Sequence, residues 1–150
     1  MERTIHIVSV NISEQKGTVK HPCDDIILGP LGVEGDAHAG KWHRQVSLLG
    51  VESIQRFEAL SGRKVAYGEF AENITTAGLE LYKTRPGDRF VGDEIELEVT
   101  QIGKKCHGTS CAIFVEVGDC VMPREGIFCR VVRGGKLKPG MKLLYIPKEN

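Results

Sequence analysis

The sequence predicts a β-barrel-like α+β domain, mainly β, with up to two helices. Three observations predict it. Short β-branched and apolar runs recur along the whole chain, each bounded by turn residues. Glycine is abundant, 18 residues with 6 prolines, which suits a turn-rich sheet better than a helical bundle. Strands do not alternate regularly with helices and no internal repeat is visible, which disfavours dinucleotide-binding and phosphate-loop folds.

The elements follow in order. Thr4 to Val10 is rich in β-branched residues and reads as a first strand. Thr18–Lys20 reads as a short partner strand. Ile26–Leu28 is a short apolar run ended by Gly29-Pro30. Residues 29 to 40 form a long glycine-shaped loop, and Val46–Leu49 is a short strand. A helix is expected from about Gly50 to Leu60, with Val51, Ile54, Phe57 and Leu60 as its apolar stripe and Ser61-Gly62 as its stop. Tyr67 to Thr76 holds a second polar loop. Asp88–Val91 and Glu94–Gln101 read as a hairpin around Gly92-Asp93, with Ile95, Leu97 and Val99 on one face and Glu94, Glu96 and Glu98 on the other. A cysteine-rich segment follows. Ile127–Arg133 is another strand, closed by Gly134-Gly135, and Met141–Ile146 is the last.

A chain of 150 residues is one domain's length, read here as a single domain over 1–150, and buries about 70% of its unfolded surface. Lys+Arg and Asp+Glu both number 20, so binding nucleic acid or a membrane surface through bulk charge is not expected. No apolar run approaches the roughly 18 residues of a membrane helix, and no secretory signal is visible, so a cytoplasmic protein is expected. The five cysteines are odd in number, which argues against a disulfide framework.

Several segments carry candidate chemistry. Gly35 to Trp42 fits G-x-x-x-x-G-K, but Trp42 stands where Ser or Thr would bind the metal, so a phosphate loop is rejected. The same loop reads either as a flexible turn or as an anion-binding nest of backbone N–H groups near Gly35, Asp36, His38 and His43. Cys106, His107, Cys111, Cys120 and Cys129 include borderline-soft ligands, but their spacing fits a structural zinc site poorly. Cys129 lies mid-strand on the face of Ile127 and Val131 and reads as a small core hydrophobe. Cys106 sits between Lys104-Lys105 and His107-Gly108. That positive surround favours the nucleophilic thiolate; the alternative is an inert thiol beside two solvated lysines. Glu69, Glu72 and Asn73 would position a ligand amide or hydroxyl, or else cap their own turn. Arg124 would clamp a phosphate, or else pair with Glu125 or Glu116.

Taken together, these segments resemble the MOSC domain, found at the C-terminus of molybdenum-cofactor sulfurases and as stand-alone bacterial proteins. The resemblance is carried by Gly35-Asp36-Ala37-His38-Ala39-Gly40 with His43, by Gly68-Glu69-Phe70-Ala71-Glu72-Asn73-Ile74-Thr75, and by Gly87-Asp88-Arg89-Phe90. It continues through Val99-Thr100-Gln101 to Cys106, and through Arg124 to Val131. The order and spacing of these pieces carry the resemblance jointly. It implies a mixed β-barrel with a few peripheral helices. It also implies the molybdenum cofactor (molybdopterin) as ligand, and a cysteine that carries sulfur or ligates molybdenum, a role carried onto Cys106. Lys104, Lys105 and His107 would lower its pKa. Gly35, Asp36, His38, His43, Glu72, Asn73, Arg124 and Arg130 would hold the cofactor. A separate pyridoxal-phosphate cysteine desulfurase and a molybdoenzyme or reductase are the implied partners. Lys105 stands where many stand-alone relatives have proline. The rival readings are a zinc-stabilised, non-catalytic interaction module and a component of a molybdenum-dependent reductase.

Overall fold

The structure is a computed structural model and describes residues 3–15, 18–103 and 125–149. Its strands are β1 (Arg3–Ile12), β2 (His21–Cys23), β3 (Ile26–Gly29), β4 (Gly32–Val33), β5 (Val46–Gly50), β6 (Ile74–Ala77), β7 (Arg89–Val91), β8 (Glu96–Ile102), β9 (Ile127–Arg133), β10 (Gly135–Leu137) and β11 (Lys142–Ile146). One α-helix, α1 (Val51–Ser61), and a 3-10 turn at Leu81–Lys83 complete the described elements.

Seven strands close the expected barrel in the order β11-β7-β8-β9-β5-β6-β1, with β1 pairing back onto β11. Closure removes the exposed sheet edges that an open sheet would present. Every barrel pairing is antiparallel except β5–β6, where α1 and the loop after it return the chain in the same direction. β1 is long enough to serve three neighbours: β11 along its first half, β6 along its second, and β2 at its end. A small sheet, β10-β3-β4, packs Ile26, Leu28, Val33 and Leu137 onto the barrel interior.

The alternation read from the sequence is what fills the barrel. Ile95, Leu97 and Val99 are at most 1% exposed. Outward-facing Glu96 and Glu98 pair with Arg89 and Arg130 at 2.8 and 2.6 Å. Val46 and Leu48 point inward with Ile74 and Ile127, while Leu49 and Phe128 point outward. There they meet Ile54, Val65 and Phe70, with Phe57 packed edge-on to Phe70. β5 is therefore buried on both faces along its whole length.

The structure corrects two local expectations. Residues 18–20 are not a strand; the partner of β1 is His21–Cys23. Lys20 is drawn inward instead, where its ammonium meets Asp36. Leu60 is 89% exposed, because residues spaced three apart drift about 60° per step around a helix. After three such steps Leu60 lies opposite Val51. β9 ends at Arg133 as expected, and beyond Gly134 a further short strand, β10, pairs with β3. A side chain on Gly134 would sit 2.3 Å from the Leu28 carbonyl oxygen, so only glycine permits this approach. Helix α1 lies where it was expected, starting at Val51 with Gly50 as its extended cap.

Cys129 behaves as the core residue expected: it is 0% exposed and burial pushes its thiol far above the ordinary range. Native Cys129 should resist alkylation until the chain is unfolded, as peptide mapping would read. Cys129→Ser should cost about 1–3 kcal/mol in urea unfolding, the cost of burying a hydroxyl. Rapid modification of Cys129 in the folded protein would contradict this core.

Candidate functional site

β8 and β9 lose register between Val99 and Gln101, a bulge that leaves Thr100 without a direct partner. The bulge turns these side chains toward the long loop before β5. The Thr100 hydroxyl donates to the backbone carbonyls of His43 and, at 3.1 Å, Phe128. Gln101 Oε1 lies 2.7 Å from His43 Nε2, and Gln101 Nε2 donates to Gly103 O at 2.6 Å. The Gly103 N–H donates to Gly126 O at 2.7 Å, so the ends of the β8–β9 connection are held together. Ser53 and Arg56 of α1 both donate to Glu125 at its far end. Lys104, Lys105, Cys106, His107, Cys111, Glu116, Cys120 and Arg124 lie outside the described residues.

The loop over this bulge is fixed by Asp36. Its carboxylate accepts from Lys20 Nζ at 2.9 Å, from the Ser13 N–H at 3.0 Å and from the His38 N–H at 2.9 Å. Burial alone would raise its pKa, but these hydrogen bonds and the Lys20 charge hold it below the ordinary carboxylate value. The His38 N–H thus points at the loop's own carboxylate. Gly35 takes a left-handed φ of 82° with open space where a side chain would be. The His38 ring stacks on Phe128 with centroids 6.0 Å apart and lies 5.0 Å from Trp42, whose indole N–H donates to His38 O at 3.0 Å. The Arg44 guanidinium sits 4.5 Å over the Trp42 ring. Gln45 anchors the loop's end, donating to Pro30 O and Gly40 O and accepting from the Val131 N–H of β9.

Glu72 and Asn73 are both 0% exposed. Asn73 Oδ1 accepts from the Ser47 N–H at 3.1 Å, and Asn73 Nδ2 donates to Asn11 O, tying β5 to β1. Glu72 Oε2 accepts from the Gly68 N–H and the Thr75 hydroxyl, while Oε1 is buried without a hydrogen-bond partner among the described residues. Gly68 itself packs so tightly that a side chain would lie 2.5 Å from Lys20 O, and it adopts a left-handed φ of 86°. This network meets the Asp36 cluster through β1, since Asn11 serves one and Ser13 the other. The structure therefore brings Asp36, His38 and His43 into one loop, links Glu72 and Asn73 to it through Asn11 and Ser13, and leaves Arg130 on the outer wall paired with Glu98. Sequence reasoning passed over Lys20 and Arg44. A lone lysine gives no signal, but the run Lys41-Trp42-His43-Arg44 alternates cation and aromatic, a pattern that could have drawn attention to Arg44. Among the described residues no group of three or more His, Cys, Asp or Glu is arranged to hold a metal. None of the described helices is long and apolar enough to cross a membrane.

Burial raises the Glu72 carboxyl from 4.5 to about 7 against the hydrogen bonds that lower it. The folded chain then binds more protons than the unfolded chain between those values. Glu72 thus stabilises the fold below the unfolded pKa, and that contribution is lost as pH rises through about 7. From about pH 4.5 to about pH 8, wild type should lose on the order of 3 kcal/mol of stability relative to Glu72→Gln. Urea unfolding of both chains across that window checks it; a pH-independent difference would contradict the assignment.

A family model for the MOSC domain matches residues 35–143. A comparison with curated proteins finds no match. Solved structures share the fold. The YuaD protein from Bacillus subtilis superposes with a TM-score of 0.80 at 18% identity over 99% of each chain. YiiM from Geobacillus stearothermophilus gives a TM-score of 0.74 at 24% identity, covering 95% of this chain and 75% of its own. YiiM from Escherichia coli gives 0.69 at 19% identity, covering 100% and 72%. These likenesses speak for the fold, and the family match spans well over half of the sequence. The chain belongs to the MOSC domain family, which is associated with functions of the molybdenum cofactor.

Proposed function

We propose that this MOSC protein is a sulfur carrier for the molybdenum cofactor, with Cys106 as the accepting thiol. The observation that carries the reading is the neck of the β8–β9 connection. Gly103 is held beside the His43–Gln101 pair, under a loop that carries Lys41, His43 and Arg44. Cys106 follows three residues later, a reach of at most about 11 Å along the chain. Lys104, Lys105 and His107 surround it in sequence, and neighbouring positive charge favours the thiolate.

The chemistry needs no oxidant. The Cys106 thiolate attacks the outer sulfur of a persulfide on a separate pyridoxal-phosphate cysteine desulfurase. One sulfur–sulfur bond forms as the donor's breaks, and the donor cysteine leaves as thiolate. Free thiols of this kind belong to a reducing compartment, so the cytoplasm is the expected location.

The residues present suit the cofactor's chemistry. His38, His43 and Arg44 offer cationic and aromatic groups to a planar, phosphate-bearing ligand, and Arg124 and Arg130 are further candidate donors. When bound, the cofactor would supply the metal that receives sulfur or is ligated by Cys106. A molybdoenzyme or reductase is the expected recipient.

The test is an intact-protein mass spectrum after anaerobic incubation with cysteine and a desulfurase, beside Cys106→Ser. The expected result is the mass of one added sulfur atom, removed by reductant and absent from the variant. No added sulfur on wild type would overturn the carrier role. In that case one tightly bound zinc per chain, with loss of folding on chelation, would favour a zinc-stabilised module.

A further inference from the structure

We propose that Glu72 is a proton-operated latch: on ionising, it releases the turn at residues 68–71 from Lys20 and loosens the loop before β5. Its bearing on function rests on the reading of that loop as the ligand-bearing one.

The turn is closed but strained. Gly68 O accepts from the Ala71 N–H, which closes the turn, and from the Lys20 N–H, both at 2.8 Å. Gly68 has a φ of 86°, and Ala71 has a φ of 67°, the one left-handed position among the described residues that is not glycine. A Cβ disfavours that conformation, so opening the turn relieves strain.

The Glu72 carboxyl holds the turn shut. Oε2 accepts from the Gly68 N–H at 3.0 Å and from the Thr75 hydroxyl at 2.8 Å, and Oε1 has no hydrogen-bond partner among the described residues. A neutral acid tolerates this setting. An anion leaves one charged oxygen dry at 0% exposure, and opening the turn admits water to it. No charged side chain among the described residues compensates it. The Lys20 ammonium turns to Asp36, Arg63 pairs with Glu69 of the turn, and Arg56 of α1 pairs with Glu125. Glu52 and Glu58 of α1 accept from the Gly78 and Val65 N–H groups. His21 of β2 is exposed, and β1, β5 and β6 bring uncharged Ser9, Asn11, Ser47 and Thr75 to this network.

The path to the loop is short. A side chain on Gly68 would lie 2.5 Å from Lys20 O, so the turn and the Lys20 backbone move together. The Lys20 ammonium holds Asp36 at 2.9 Å, and Asp36 holds the His38 N–H. Burial raises the acid to about 7 in the closed turn, from 4.5 when exposed. The open turn therefore gains on the closed one as pH rises, by about tenfold in population between pH 6 and pH 8.

Hydrogen exchange of the full chain at pH 6 and pH 8, read by mass spectrometry and corrected for the intrinsic rate, tests the latch. Wild type should lose about tenfold in protection at pH 8 over residues 66–72, at Lys20 and over residues 36–45. Glu72→Gln, which stays neutral, should lose none of it. Ala71→Gly, which removes the strain, should gain protection over both stretches together at either pH. The openings should be insensitive to low urea, which marks a local event. Circular dichroism checks that each variant folds; should Glu72→Gln fail to fold, Ala71→Gly and the urea series carry the test. Loss in Glu72→Gln equal to wild type, a response confined to residues 66–72, or a urea dependence equal to that of β7 and β8 would each overturn the proposal. None of these readings involves Cys106, so failure of the sulfur-carrier role would leave them standing.

Discussion

The Lys20–Asp36 ion pair is 4% and 0% exposed and joins two segments that no strand pairing connects. Taking two charges out of water costs several kcal/mol per ion, and attraction offsets that cost only where the remaining hydrogen-bonding capacity is met. Here it is met by protein groups. Asp36 also accepts two backbone N–H groups, and Lys20 Nζ also donates to the Ser13 hydroxyl. The pair therefore specifies one position for the loop that follows β4, where a glycine-rich segment would otherwise have many.

From that fixed point the rest of the site is determined by short steps. Asp36 sets the backbone at His38, His38 orients Trp42 through its carbonyl, and Trp42 carries Arg44. A second restraint comes from the barrel. The β8 bulge lifts Thr100 and Gln101 out of register, and both take hold of His43. The loop is thus pinned at one end by an ion pair and at the other by a sheet irregularity. The same bulge sits at the mouth of the connection that carries Cys106.

The barrel was legible in the sequence because its interior obeys a period of two. Ile95, Leu97 and Val99 could be read as one face without any knowledge of their partners, and all three are buried. Helix α1 was legible in position but not in its last turn, since spacing by threes cannot hold one face for long. What escaped is what depends on distant partners. Lys20 looks like any surface lysine until Asp36, sixteen residues on, is folded against it. β10 was hidden because its pairing rests on a close backbone approach at Gly134 rather than on side-chain pattern. Asp36, His38 and His43 were found as candidates from the glycine-shaped loop that carries them, read as a possible anion-binding nest, and from resemblance to a known domain. The resemblance did not reveal that the Asp36 carboxylate already occupies the loop's own donors.

Lys20 and Asp36 act as a coupled pair on which the position of the loop depends. The most direct measurement is a double-mutant cycle in urea unfolding with Lys20→Met, Asp36→Leu and the combined variant. Each single change should cost about 3–5 kcal/mol, because it leaves one charge or its donors buried without a partner. The combined variant should cost less than the two together by at least about 2 kcal/mol. Additive effects, or single changes costing under about 1 kcal/mol as for a solvated pair, would contradict the account.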